Sequence, residues 1–150
     1  TMPKVAIAPL IMVWFGLGDL SKVVLASTIV FFSVMINTMD GLRIRPEYYD
    51  LARVYKANDW QIMLRIRLRN ALPNIFTGLR IGTTLAVIGV TVAEFVGSQD
   101  GLGHLMVLYQ AYLKIPQMFA AIVVLSIFGY IFYELLKLIE KILLPWYREE

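Results

Sequence analysis

Few side chains in this sequence have a type and spacing that could support bond chemistry. There is no cysteine, which excludes disulfides, thiolate metal sites and cysteine nucleophiles. The single histidine, His104, has Asp100 nearby, but no serine is placed to complete a nucleophilic triad. One histidine is too few for a histidine-built metal site, so neither a metal nor a cofactor is expected, and His104 reads as an interfacial loop residue. No Gly-x-x-x-x-Gly-Lys-Ser/Thr run occurs in these residues, so a phosphate-cradling loop is not among their features. Gly16-x-Gly18 and Gly101-x-Gly103 are too short for nucleotide binding and read as turns. Two ionisable residues in apolar surroundings remain, Arg80 and Glu94. They stand ~21 Å apart along a helix axis and cannot pair with each other. Ionisable groups inside apolar spans face protein or water. Glu94, near one end, can line a pathway or reach interfacial water, and both readings stay open.

The elements that hold these residues are set by composition. Hydrophobic residues make up 59% of the chain and charged residues 17%, against ~45–50% and ~25% in soluble domains. An ordinary cytosolic domain and a disordered chain are both excluded. Uncharged runs span Val5 to Gly18 and Val23 to Met39. A third, Ala71 to Ala93, carries Arg80 alone. A fourth, Gln117 to Tyr133, continues its apolar pattern through Leu135, Leu136, Leu138, Ile139, Ile142 and Leu143. A helix crossing hydrocarbon needs ~20 mostly apolar residues. Continuous rather than alternating runs select helices over barrel strands. The expectation is an all-α polytopic membrane helix bundle with three full spans and a fourth crossing from the shorter first run. The seven methionines read as packing. No signal peptide is seen at Thr1. The first run looks cut into, so residues 1–150 read as one transmembrane domain forming the C-terminal part of a longer chain.

Orientation follows from the basic residues. Arg43, Arg45, Arg53, Lys56, Arg65, Arg67 and Arg69 crowd between Asp40 and Ala71, whereas the segment from Gly97 to Pro116 holds only Lys114. Lys137, Lys141 and Arg148 follow the last span. The positive-inside rule places residues 40–70 and the C-terminus in the cytoplasm, with Ser98 to Pro116 and a tight turn at Asp19 to Lys22 outside. Basic residues lining a membrane edge, without a base-stacking platform, argue against nucleic-acid binding.

Within 40–70, Pro46 suits a first helical turn. Glu47 and Asp50 near its start, with Arg53 and Lys56 near its end, complement the helix dipole. Tyr48, Leu51, Ala52 and Tyr55 recur at i, i+3, i+4 and i+7 and form one apolar face. A short amphipathic helix over Pro46 to Ala57 is expected, broken by Asn58-Asp59, which can cap the next. Its pattern suits a helix lying on the bilayer surface as well as one docking in a groove of a partner. Leu64 to Arg69 alternates as Leu-Arg-Ile-Arg-Leu-Arg, a strand signal. An unpaired strand at a membrane surface would leave its edges open, so a helix from about Trp60 is expected, its arginines snorkelling to headgroups or a partner. Asn70 can cap the following helix, with Pro73 in its first turn. On that helix Gly78, Gly82, Ala86, Gly89 and Ala93 form a stripe of small residues suited to packing in the bundle, to a dimer contact or to a pathway lining.

The stretch DLARVYKANDWQIMLRIRLRNALPNIFTGLRIG, from Asp50, resembles the cytoplasmic signature loop of permease subunits of bacterial ABC importers. That loop reads Glu-Ala-Ala, three residues, Gly, nine residues, then Ile-x-Leu-Pro. Asp50, Leu51 and Ala52 stand for Glu-Ala-Ala; Ile66 and Leu68 match the later positions, and Pro73 matches a second proline of the subgroup. Lys56 replaces the glycine and Arg69 the last proline, so a different turn after the short helix is expected. PKVAIAPLIMVWFGLGDLSKV, VFFSVMINTMDGLR, VAEFVGSQDGLGHLM and LLPWYREE resemble the nitrate, sulfonate and taurine branch, which includes importers of thiamine pyrimidine precursors and riboflavin-like compounds.

The resemblance implies the type I importer permease fold and a transport subunit without enzymatic activity. It further implies a permease homodimer, two cytoplasmic ABC ATPase subunits and an extracytoplasmic substrate-binding protein. Tyr48, Asp50, Leu51, Ala52, Arg53, Tyr55, Lys56 and Ala57 would form the coupling helix seated on the ATPase. Gly78, Arg80, Gly82, Ala86, Gly89, Ala93 and Glu94 would serve helix packing or the pathway. The solute would be a small organic molecule or oxyanion, with the wording of EFVGSQDGLGHLM leaning to the pyrimidine and riboflavin-like members. Two other classes compete: a fragment of an ion-driven secondary transporter, and a structural anchor subunit. The first usually carries buried acids at mid-membrane depth, whereas Glu94, the acid within a long span, lies near its end.

Overall fold

A computed structural model describes residues 4–145, with side chains from residue 6 onward. The extreme ends of the first and last family-like segments, and Arg148, lie outside the described residues. A 3-10 turn, Lys4–Ile7, leads into α1, Ala8–Phe15. The membrane-length helix α2 follows as Asp19–Gly41. Beyond it come the short α3, Pro46–Val54, and α4, Asp59–Ile62. A π-helical turn, Met63–Arg67, joins α4 to α5, Leu68–Gly97. The ten-residue α6, Leu102–Ala111, precedes α7, Ile115–Leu143. Among the described residues there is no strand, and the three helices Asp19–Gly41, Asp59–Gly97 and Ile115–Leu143 are long and apolar enough to cross a membrane. The all-α polytopic bundle expected from the sequence is the fold observed.

Among the described residues the first apolar run is not one of these membrane-length helices. The described part of the first apolar run ends at Phe15, because Gly16 adopts φ 82° and Gly18 is extended. The turn is therefore Gly16 to Gly18, not Asp19 to Lys22: Asp19 already opens α2 and complements its N-terminal dipole. Ser21, itself buried, donates from Oγ to the Gly16 carbonyl and ties the turn to the helix.

α2 and α5 run antiparallel and make the most extensive packing in the chain. Leu17 and Met12 meet Gly97 at one end; Asn74 and Ala71 meet Gly41 at the other. α1 closes one end of this pair, and Ala8, Ile11, Met12, Leu25, Ile29 and Ala93 form its core. Several hydroxyls inside the spans bond within their own helix. Thr28, Thr38, Thr91 and Ser126 donate to the carbonyl four residues back at 2.7–2.9 Å, as a medium without water requires. α7 is held lightly, with only Ala121 and Glu140 buried.

The Leu64 to Arg69 alternation folds as helix, as the edge argument demanded. Helix runs unbroken from Asp59 to Gly97, so Asn70 is not a cap. Its Nδ2 instead donates to the Gly41 carbonyl at 2.9 Å, fastening α5 to the end of α2. Pro73 lies inside α5 rather than opening it. Its ring crowds the carbonyl four residues back, and the wide π turn ends just before that point.

Candidate functional site

The short helix α3 is built as its sequence dictates. Pro46 occupies its first turn, Glu47 sits at the N-terminal end and Arg53 at the C-terminal end. It ends in a Schellman closure: the Ala57 N–H donates to the Ala52 carbonyl at 3.0 Å, and the Lys56 N–H to Arg53 at 2.9 Å. Lys56 adopts φ 56°, a left-handed conformation that costs a non-glycine residue about 1–2 kcal/mol. A lysine standing where the family-like pattern has glycine thus takes the conformation that glycine adopts freely. The helix is therefore three residues shorter than Pro46 to Ala57, with Tyr55, Lys56 and Ala57 in its closing turn. Asn58 opens α4, and its backbone N–H donates to the Gln61 side chain at 3.0 Å.

Tyr49, which periodicity did not single out, pins α3. Arg53 donates to the Tyr49 hydroxyl and to the Asp59 carboxylate, both at 2.7 Å. The Arg67 guanidinium lies 5.7 Å from the Tyr49 ring centre. The hydrogen bond to Tyr49, and then the charge of Asp59, hold the Arg53 pKa above its ordinary value. A tyrosine four residues before an arginine was the available sequence signal.

One feature of the expected apolar face is revised. Ala52 is 7% exposed, buried within the chain itself, whereas Tyr48, Leu51, Val54 and Tyr55 are 55–79% exposed. The face offered outward is Tyr48-Leu51-Val54-Tyr55, flanked by the exposed Asp50.

On α5 the small residues divide. A Cβ on Gly78 would sit 2.9 Å from Val34 Cα, and one on Gly82 3.2 Å from Val30 Cα. Ser33 Oγ donates to the Gly78 carbonyl at 3.0 Å in the same seam. Gly89 lies against Ile29, and Ala93 is in the core cluster. Ala86 is half-buried and faces elsewhere. Gly82→Leu is expected to destabilise the bundle by about 1–3 kcal/mol through overpacking. Denaturation of the purified protein in detergent checks this, and unchanged stability would mean that α2 does not approach so closely.

Arg80 and Glu94 do not pair with each other; each has another partner. Arg80 Nε lies 3.4 Å from Glu140 Oε2 on α7, both side chains under 10% exposed. Glu94 Oε2 accepts from the Gly103 N–H at 2.7 Å, in the first turn of α6, and Oε1 lies 3.7 Å from Lys22 Nζ. Gly101, at φ 112°, leaves the Glu94 carboxylate space that any Cβ would occupy. The glycine pair read as a turn is thus also a seat for this carboxylate. Lys22 also reaches Asp19 at 3.1 Å, binding α2, α5 and α6 together at the end opposite α3.

Between α5 and α7 opens a cleft of about 400 Å³ lined by Val30, Thr83, Ala86, Thr91, Glu94 and Phe128, among others. It collects Ala86 and Glu94 from the expected pathway set; Gly78, Gly82, Gly89 and Ala93 are in helix packing. Among the described residues no group of three or more histidine or acidic residues is placed to hold a metal.

Three helices long and apolar enough to cross a membrane, joined by shorter helices, mark a multi-pass membrane protein. The family described as "binding-protein-dependent transport system inner membrane component" matches residues 1–148, and the chain belongs to that family. It is 36% identical, over its whole length, to the formylaminopyrimidine transport permease protein ThiX of Halalkalibacterium halodurans, covering 60% of that protein. It is 38% identical to the riboflavin transport system permease protein RibX of Chloroflexus aurantiacus, over 97% of this chain and 54% of the relative. Its identity to the taurine transport system permease protein TauC of Escherichia coli is 29%, over 99% of this chain and 54% of the relative. The chain thus spans little more than half the length of the curated relatives it matches. No solved structure gives a significant match.

Proposed function

We propose that these residues belong to the permease subunit of an ATP-driven, binding-protein-dependent importer. In this reading two permease subunits form the pathway, a substrate-binding protein delivers solute from outside, and two cytoplasmic ATPases drive the cycle. The observation that carries it is α3: a nine-residue helix, standing beside the membrane-length helices, that turns four large apolar side chains outward. An isolated helix of that length is not stable in water by itself. A partner groove reading anchors about one turn apart fits those side chains. ATP binding would close the ATPases, move α3, and through the unbroken Asp59–Gly97 helix rock the far end around Glu94. The permease performs no bond chemistry in this scheme.

The cleft between α5 and α7 is assigned to the pathway wall. Its lining offers apolar surface, the Thr83 and Thr91 hydroxyls and the Glu94 carboxylate, with no cation among the lining residues. Those groups favour an uncharged, ring-bearing solute over an oxyanion, which would need positive partners. The ThiX and RibX names agree with that preference; the TauC name stands for the alternative.

Orientation and energy source test the reading together. In intact cells an impermeant thiol reagent is expected to label a cysteine placed at Gln99 and to spare one at Asn58. Labelling at Asn58 but not Gln99 would invert the topology. The full-length permease, reconstituted with its ATPase and binding protein, should take up solute only with ATP. Uptake driven by an ion gradient alone would establish a secondary transporter, and partner binding without uptake would establish an anchor subunit.

A further inference from the structure

We propose that Glu94 is the outer latch of the cleft between α5 and α7, a positioning residue that holds α6 and α7 closed across it. This rests on the reading of that cleft as the pathway wall. α6 and α7 form one hairpin: the Lys114 N–H donates to the Tyr109 carbonyl at 2.8 Å, and the Leu113 N–H to Gln110 at 3.0 Å. Few residues of the hairpin are buried, only Gly103 on α6 and Ala121 and Glu140 on α7. Segments held by so little apolar contact open at low cost. Two charged fastenings tie the hairpin to the α2–α5 pair. Arg80 meets Glu140 at one end of the cleft, and Glu94 meets α6 at the other. The two α5 residues are ~21 Å apart along the helix. Thr83, Ala86 and Val90 line the cleft between them, with Glu94 and Leu102 of α6 closing the lining at the outer end.

The latch is polar and short-ranged. Gly101 is the N-cap of α6 and has no side chain to cap it. The Glu94 carboxylate takes that place, accepting from the Gly103 N–H at 2.7 Å with its charge at the helix N-terminus. Lys22 Nζ lies 3.7 Å from the same carboxylate and donates to the Asp100 carbonyl at 3.4 Å. The Lys22 and Glu94 side chains are 13% and 10% exposed, so water screens this contact little. A Cβ on Gly103 would sit 2.8 Å from the Thr91 carbonyl oxygen, so the first turn of α6 lies directly on the α5 backbone. A displacement of about 1 Å takes the Glu94–Gly103 bond beyond hydrogen-bonding range. Glu94 stands at the far end of the unbroken Asp59–Gly97 helix from α3. Rocking that helix from the cytoplasmic end therefore breaks the latch and frees α6 from the outer end of the cleft.

The test uses the full-length permease with its ATPase in right-side-out membrane vesicles free of nucleotide. A single cysteine at Val90, in the cleft, is offered an impermeant thiol reagent from outside. Labelling is expected to be slow with Glu94 present and at least tenfold faster with Glu94→Gln, which removes a charged hydrogen-bond acceptor. A cysteine at Ala93, 1% exposed in the core cluster, should stay unlabelled in both. Should Glu94→Gln not fold, Lys22→Met carries the same test with labelling raised about threefold. Equal labelling at Val90 with and without Glu94 overturns the latch. Faster labelling at Ala93 as well as Val90 would show that Glu94 only holds the bundle together, and overturns it too. Loading the vesicles with a non-hydrolysable ATP analogue should bring labelling with Glu94 present up to the rate of the variant. A variant effect without any effect of the analogue would support the latch and overturn the ATP-driven reading.

Discussion

Glu140→Ala is expected to destabilise the bundle by about 3–5 kcal/mol, because it strands a buried guanidinium without its carboxylate. Arg80 and Glu140 sit 3.4 Å apart, both nearly excluded from solvent. Little else of α7 is buried, only Ala121 besides Glu140, so this pair is a principal fastening between α5 and α7. Taking two charges out of water is itself costly, and an apolar pair of similar size can do as well. Arg80→Met combined with Glu140→Met is therefore expected to recover most of the loss. Denaturant titration in detergent reads both results. A single substitution costing less than about 1 kcal/mol would mean that water or lipid headgroups already screen the pair.

The second large effect is expected on the exposed face of α3. Leu51→Asp and Tyr55→Asp should each weaken association with the ATPase at least tenfold, as loss of a buried interface anchor costs about 2 kcal/mol or more. ATP-driven uptake should fall with it, while membrane insertion and folding stay intact, since both side chains are more than half exposed in the chain alone. Ala52→Asp is a poorer probe. Ala52 is 7% exposed, so a charge there disturbs the loop before any partner arrives. Wild-type association and uptake in Leu51→Asp would remove α3 from the coupling path.

The spans were legible in the sequence because hydrocarbon imposes length and continuity on apolar runs, and three of the four expected crossings appear as long helices. The break at Asn58 and the helical state of Leu64 to Arg69 were legible through capping and the edge-strand argument. The partners of the charges were not. Glu94 meets Lys22 and Gly103, and Arg80 meets Glu140, across helices far apart in the chain. Spacing along one helix carries no information about such meetings. Glu140 stands close in sequence to Glu134, Lys137 and Lys141, and nothing in that spacing singles it out. Its signal was an acid recurring within the continued apolar pattern. Ala52 shows a related limit: periodicity defines an apolar face but not which part of it the chain covers itself. The helix α6 was hidden because Leu102–Ala111 is short and its start depends on the Glu94 carboxylate.

The central claim is that α3 is the element seated on the ATPase. Cross-linking in the assembled full-length complex tests it most directly, since these 150 residues hold no cysteine to compete. Single cysteines at Leu51 and at Ala52, treated with a short bifunctional thiol reagent, should separate the two sides of the helix. The prediction is a cross-link to the ATPase from position 51 and none from position 52. Absence of any ATPase cross-link from position 51, with the complex intact and active, would contradict the account.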